Sequence, residues 1–133
     1  MKPTFADTSF YVAAVNPRDA LHVAAAEYAE GFRGGTITTE YVLIEVGNWL
    51  ARSGDRPVFL ELMKEIRADD HTTVVPGSSA LFERGVDLYA RRPDKSWSLT
   101  DCISFVVMQE HGLSDALTGD HHFEQAGFRI LLK

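Results

Sequence analysis

Four acidic residues stand in sequence contexts where a simple surface charge is not expected: Asp7, Glu45, Asp101 and Asp120. They come from distant parts of the chain, so they can meet only if the fold brings separate elements together. Carboxylate oxygens gathered in this way are the ligands that Mg²⁺ and Mn²⁺ prefer. A cation held by such ligands can polarise a phosphodiester and lower the pKa of a water molecule. The chemistry these residues would support is metal-assisted hydrolysis.

Glu45 is the most informative of the four, because apolar residues surround it on both sides in the segment 41–50. That segment is typical of a helix that is apolar on nearly every face and therefore largely buried. A lone carboxylate inside such a helix is costly unless a cation or hydrogen bonds satisfy it. The alternative is that Glu45 lies on a narrow solvent-facing stripe with Asn48 or Arg52.

Each of the three aspartates also has a structural alternative. Asp7 follows a strand candidate and is suited to be the N-cap of the next helix. Ser98 and Asp101 have the spacing of a capping box, which would place the acid at a helix start. Asp120 is suited to a turn, and the nearby Asp115 is an alternative or auxiliary acid.

Strand patterns alternate with helix patterns along the chain, which predicts an α/β fold with a parallel sheet between helices. Asp19 is expected to cap the second helix. In such folds, ligands bind beyond the carboxyl ends of the strands, where Asp7 and Asp120 are expected. The expected strands are 4–6, 36–38, 72–75, 116–118 and 129–132, and the expected helices are 10–15, 20–32, 41–52, 57–68, 79–91, 99–110 and 121–126.

Composition narrows the class of protein. A chain of 133 residues fits one domain, residues 1–133, and the single Cys102 excludes an internal disulfide framework. We find no apolar run near the ~20 residues that span a bilayer and no signal segment, so a cytoplasmic location is expected. The net charge of −6 counts against a nucleic-acid partner, unless several of the acids surround a bound cation that inverts the local charge.

Four segments carry a resemblance to a known family: Asp7–Phe10 (DTSF), Glu45 within its apolar helix, Ser98–Phe105 (SLTDCISF) and Leu117–Phe123 (LTGDHHF). In this order and at these spacings the chain resembles a PIN domain. Within that family it is similar to the VapC-like toxins of bacterial toxin–antitoxin pairs. The likeness covers essentially the whole chain, and the ending Ala126–Phe128 also fits it.

The resemblance implies a three-layer α/β/α sandwich with a central, mostly parallel sheet, and cleavage of RNA that depends on Mg²⁺ or Mn²⁺. It implies that Asp7, Glu45, Asp101 and Asp120 form the catalytic, metal-binding cluster. Asp7 and Asp101 would be direct ligands, whereas Glu45 and Asp120 would act through water or hold a second metal. Thr8 and Ser9 would hydrogen-bond near Asp7. The implied partners are an RNA substrate, a cognate antitoxin and a second copy of the chain.

Two other functions fit parts of the sequence. A doubly wound phosphatase would use an aspartate after the first strand as phosphoryl acceptor, a role open to Asp7. Such a site would want a second aspartate two residues later, where this chain has Ser9. A non-catalytic binding module would keep the fold and the acidic pocket without turnover.

Several conspicuous residues are interpreted as structural. Cys102 is expected to be a buried core thiol, and the adjacent His121 and His122 are expected to face solvent. Trp97 is expected to pack against the sheet edge rather than stack on a base. The basic residues Arg18, Arg91, Arg92 and Lys95 are candidates for steering phosphates.

Overall fold

The computed structural model describes residues 2–32 and 34–133. Strands and helices alternate along these residues, as the sequence pattern predicts. The elements are β1 (Thr4–Ala6), α1 (Thr8–Val15), α2 (His22–Gly31), β2 (Thr36–Thr39), α3 (Glu40–Arg52), α4 (Arg56–Ala68), β3 (Thr72–Val75), α5 (Ser79–Arg91), α6 (Leu99–Glu110), β4 (Asp115–Leu117), α7 (His121–Gln125) and β5 (Arg129–Ile130).

The strands form one sheet in the order β3-β2-β1-β4-β5, and every neighbouring pair is parallel. The helices flank this sheet, which confirms the expected three-layer α/β/α sandwich. β1 lies in the middle, between β2 and β4, so the strand order reverses direction there. Such a switch point leaves a crevice beyond the carboxyl ends of the central strands.

Helix α6 supplies the centre of the core. Its residues from Asp101 to Met108 are all buried, as expected for a helix without a solvent stripe. Phe105 packs edge-on against both Trp97 and Phe123, with ring centroids 5.0 and 4.9 Å apart. The core therefore fixes the start of α6 and the start of α7 relative to each other.

The element bounds agree with the sequence prediction to within two residues, and the largest differences are at the starts of α1 and α2 and at the end of the last strand. α2 begins at His22 with Leu21 at the N-cap position, so the prediction that Asp19 caps this helix is wrong. The Asp19 side chain instead accepts a hydrogen bond from Leu21 N in a turn before the helix. The last strand is shorter than expected, although the backbone N–H groups of Leu131 and Leu132 still donate to Ala116 and Thr118.

None of the helices in the described part of the chain combines the length and apolar character needed to cross a bilayer.

The contact between α5 and α6 is close because Gly85 has no side chain. A Cβ atom at Gly85 would overlap Cγ1 of the buried Ile103. We therefore expect Gly85→Ala to lower the free energy of unfolding by about 1–3 kcal/mol through overpacking, measured by urea denaturation.

Gly31→Ala is the matched control, because a Cβ there meets no atom within 4 Å. Its stability should equal or exceed that of the wild type. The double variant Gly85→Ala, Ile103→Ala should lose less than the sum of the two single variants. Strict additivity would contradict the overlap.

Candidate active site

The carboxyl edge of the sheet brings the two central strand ends together. Asp7 follows β1 and Thr118 follows β4, and the backbone N–H of Asp7 donates to Leu117 O at 3.3 Å. Thr118 in turn accepts a hydrogen bond from Asp120 N at 3.0 Å. The parallel pairing of β1 with β4 thus places two acids of the predicted cluster beside each other.

Asp7 is a buried carboxylate with hydroxyl donors. It occupies the N-cap position of α1, but its side chain makes no capping hydrogen bond. Its Oδ2 instead accepts from Thr118 Oγ1 at 3.0 Å, and from Ser9 Oγ at a long 3.5 Å. Burial, together with the charges of Asp101 and Asp120, raises the pKa of Asp7 to about 7 against the hydrogen bonds that lower it. Among the described residues, no lysine or arginine compensates the negative charge of the Asp7 carboxylate.

Asp101 is the N3 residue of a capping box with Ser98, as the spacing predicts. Its Oδ2 accepts from Ser98 N at 3.1 Å and lies 3.2 Å from Nδ1 of His122. The pKa of Asp101 is raised, first by burial and then by the charge of Asp120, against the hydrogen bond from Ser98. Capping and membership of the acidic cluster are thus compatible roles for one side chain.

Glu45 reaches the same region from α3. Thr8 Oγ1 donates to its Oε1 at 2.6 Å, which ties the glutamate to the residue after Asp7. The expectation that α3 is buried on nearly every face is wrong, because Ile44 is 58% exposed. Glu45 itself is half-buried, at the boundary between the core-facing side of the helix and solvent.

Asp120 and His122 complete the arrangement. Asp120 is the N-cap of the short helix α7, and its Oδ1 accepts from His122 N at 2.9 Å. The expectation that both histidines face solvent is wrong for His122, whose side chain is 19% exposed and touches Asp101. His121 does face solvent, at 71% exposure. The turn through Asp120 directs the second histidine inward and the first outward.

Thr118, for which the sequence predicts no role, is fully buried. It links Asp7 and Asp120 and lies 2.9 Å from Ser9 Oγ. A polar residue two positions before Asp120, at the end of an apolar strand, was the available signal.

Other candidates lie away from the cluster. Asp115 is at the amino end of β4, where Arg129 binds both of its oxygens at 3.0 and 2.7 Å. Cys102 is buried in the core, as expected, and Trp97 is buried against Phe105. Arg92 is held by Asp94 through two 3.0 Å hydrogen bonds, which lower the pKa of Asp94 to about 2.

The donor set fits a hard divalent cation. Asp7, Asp101, Asp120 and Glu45 offer only oxygen ligands, and the charge of Asp120 lies close enough to raise the pKa of both Asp7 and Asp101. Within residues 2–32 and 34–133, no lysine or arginine forms an ion pair with any of them. Ligand atoms of Asp120, His121 and His122 also lie within 4.8 Å of one another.

A scan against family models matches the PIN domain over residues 4–129. The chain belongs to the PIN domain family. This match gives no support to the phosphatase alternative. Among characterised PIN proteins, the chain is 30% identical over 125 residues to "23S rRNA-specific endonuclease VapC20" from two strains of Mycobacterium tuberculosis, covering 93% of this chain and 94% of the relative.

Solved structures agree on the PIN fold. The crystal structure of Mycobacterium tuberculosis VapC20, described as a sarcin-ricin loop cleaving toxin, superposes with a TM-score of 0.85 at 28% identity, covering 94% of this chain and 95% of that one. The crystal structure of FitAcB from Neisseria gonorrhoeae gives 0.65 at 13% identity, with 96% of both chains covered. The second likeness concerns the fold alone.

The raised pKa of Asp7 makes the stability of the metal-free chain depend on pH. Between 3.8 and about 7 the folded chain keeps a proton on Asp7 that the unfolded chain releases. The free energy of unfolding therefore falls as pH rises through this window. We expect Asp7→Asn to be more stable than wild type at pH 8 by up to about 4 kcal/mol, and by much less at pH 4.

The measurement is urea denaturation in the presence of EDTA at several pH values. Asp70→Asn, at an exposed position, is the control and should show no such trend. A stabilisation by Asp7→Asn that is equal at pH 4 and pH 8 would count against a burial penalty on the charged form.

Proposed function

We propose that this PIN protein is a metal-dependent endoribonuclease that acts as the toxin of a toxin–antitoxin pair in the cytoplasm. The observation that carries the proposal is the convergence of three aspartates and one glutamate at the carboxyl edge of the sheet. The charges of Asp101 and Asp120 raise the pKa of Asp7, Thr8 joins Glu45 to the residue after Asp7, and none of the four acids pairs with a lysine or arginine among the described residues. A divalent cation is the natural counter-charge for such a set.

In this proposal Asp7 and Asp101 bind the cation directly. Glu45 and Asp120 bind through water or hold a second cation. When bound, Mg²⁺ or Mn²⁺ would supply Lewis-acid activation at the phosphodiester. The protein's own contribution is orientation, because Thr118 holds Asp7, Thr8 holds Glu45 and Ser98 holds Asp101.

RNA would approach an acidic protein through a local basic surface. Arg91 ends α5, and the loop after it carries Lys95 and leads to Ser96, which contacts the site through His122. Arg92 is already engaged by Asp94 and lies 5.0 Å from the centre of the Trp97 ring. Arg91 and Lys95 are therefore better candidates than Arg92 for contacts with phosphates.

The similarity to a 23S rRNA-specific endonuclease makes ribosomal RNA the first substrate to test. We expect purified protein to cut 23S rRNA, or an oligonucleotide with its sarcin-ricin loop, in the presence of Mg²⁺ or Mn²⁺. EDTA should stop the reaction. Asp7→Asn and Asp101→Asn should each lower the cleavage rate at least about 100-fold, because each removes a charged oxygen ligand. Gel analysis of time courses measures these rates.

Asp115→Asn is the matched control, because Asp115 lies at the opposite end of β4 in an ion pair with Arg129. It should cut like the wild type. Cleavage that survives in all variants would point to a contaminating nuclease. Cation binding without cleavage of any RNA would favour the non-catalytic binding module.

We also propose that the chain forms a homodimer and binds a cognate antitoxin. Among the described residues, large apolar side chains are exposed on the four helices α2 to α5, including Ile44 at 58%, Leu60 at 67% and Tyr89 at 54%. Exposed apolar surface of this kind is suited to protein interfaces. Light scattering of the purified chain should give twice the mass of one chain. A monomer at micromolar concentration would contradict the dimer.

A further inference from the structure

His122 contacts two acids of the cluster, Asp101 and Asp120, and also Ser96. Its ring Nδ1 lies 3.2 Å from Asp101 Oδ2 and 3.4 Å from Asp120 Oδ1. Its ring Nε2 lies 3.3 Å from Ser96 Oγ, and its backbone N–H donates to Asp120 Oδ1 at 2.9 Å. One residue therefore joins two acids that come from different helices.

The partners of the ring define which nitrogen carries the proton. An ionised carboxylate can only accept, so Nδ1 is the donor toward Asp101. Nε2 is then free to accept from the Ser96 hydroxyl. The neutral ring satisfies both contacts in this tautomer, so it can hold Asp101 without becoming charged. This arrangement resembles the way carboxylates and histidines orient each other around metal sites.

The two oxygens of Asp101 are consequently unequal. Oδ2 receives the Ser98 N–H and the His122 ring N–H. Within the described chain, the hydrogen bonds of Asp101 fall on Oδ2, which leaves Oδ1 for another ligand. Two donors on one oxygen fix the rotation of the carboxylate about its last torsion angle, which is otherwise soft.

We propose that His122 is a positioning residue of the active site, which holds Asp101 Oδ2 so that Oδ1 faces the divalent cation. The inference rests on the proposed function, because it assigns His122 a role in cation binding by the same acids. His122 acts through Asp101 and does not ligate the cation, since its Nδ1 carries the proton that Asp101 accepts. Hard cations also prefer the oxygen ligands already present.

The test uses four variants of the full chain. His122→Ala removes the donor. His122→Asn keeps an N–H donor at the place of Nδ1, whereas His122→Gln places its donor near the position of Nε2. His71→Ala is the matched control, because His71 is exposed and directly precedes β3, at the opposite edge of the sheet from the acids. Thermal unfolding in EDTA establishes that each variant is folded.

The first readout is Mn²⁺ affinity, measured by the EPR signal of free Mn²⁺. We expect His122→Ala and His122→Gln to weaken binding about 10-fold or more, as loss of an outer-shell partner does. His122→Asn should recover most of the affinity and His71→Ala should match the wild type. In RNA cleavage at saturating Mn²⁺, His122→Ala should lower kcat with little change in KM.

The outcomes separate the two proposals. A wild type that binds Mn²⁺ and cuts RNA, with His122→Ala equal to it in affinity and kcat, overturns the positioning role alone. Nitrogen coupling from a bound imidazole in the pulsed EPR spectrum of the wild type that disappears in His122→Ala at saturating Mn²⁺ would also overturn it, because His122 would then be a ligand. A wild type that neither binds Mn²⁺ nor cuts RNA overturns the proposed function, and the role of His122 with it.

Discussion

The crowding of carboxylates at the carboxyl edge of the sheet is the constraint on which the rest of the site depends. Burial and two neighbouring charges bring the pKa of Asp7 to about 7, so the folded chain holds these acids against their mutual repulsion. Hydroxyl and backbone donors offset part of the cost at Asp7, Asp101 and Glu45. These donors orient the carboxylates but carry no positive charge. A bound cation would compensate the negative charge of the carboxylates.

The topology decides which acids meet. β1 and β4 are neighbours in the middle of a parallel sheet, although they are more than a hundred residues apart in sequence. Their ends place Asp7 beside Thr118, and the turn after Thr118 carries Asp120 to the same edge. Asp101 arrives separately, through a helix that the aromatic packing of Phe105 holds against α7. Sheet pairing positions two of the aspartates, and the core positions the third.

The fold and the capping box at Asp101 were predictable from local signals, namely the alternating strand and helix patterns and the spacing of Ser98 and Asp101. Each acid alone gave a weak signal, and the metal-binding role of the four acids stays a prediction. The roles of Thr118 and His122 were not predictable, because each depends on which residue the fold places opposite it. His121 and His122 are adjacent residues of the same type. Only their positions around α7 distinguish the exposed ring of His121 from the inward ring of His122. The exposed side of α3 was missed for a related reason, since Ile44 on an apolar helix gives no sign of facing solvent.

Because Asp101 both faces the site and caps α6, the four acids are not equally free to change in evolution. The same carboxylate that faces the site also accepts the N–H of Ser98 and begins the helix at the centre of the core. A lineage released from selection for catalysis can replace Glu45 without touching a helix start, and at Asp7 it removes a charge that the fold tolerates poorly. A replacement of Asp101 would also weaken the N-terminal start of α6. We therefore expect catalytically silent descendants of this chain to retain Asp101 after the other acids have diverged.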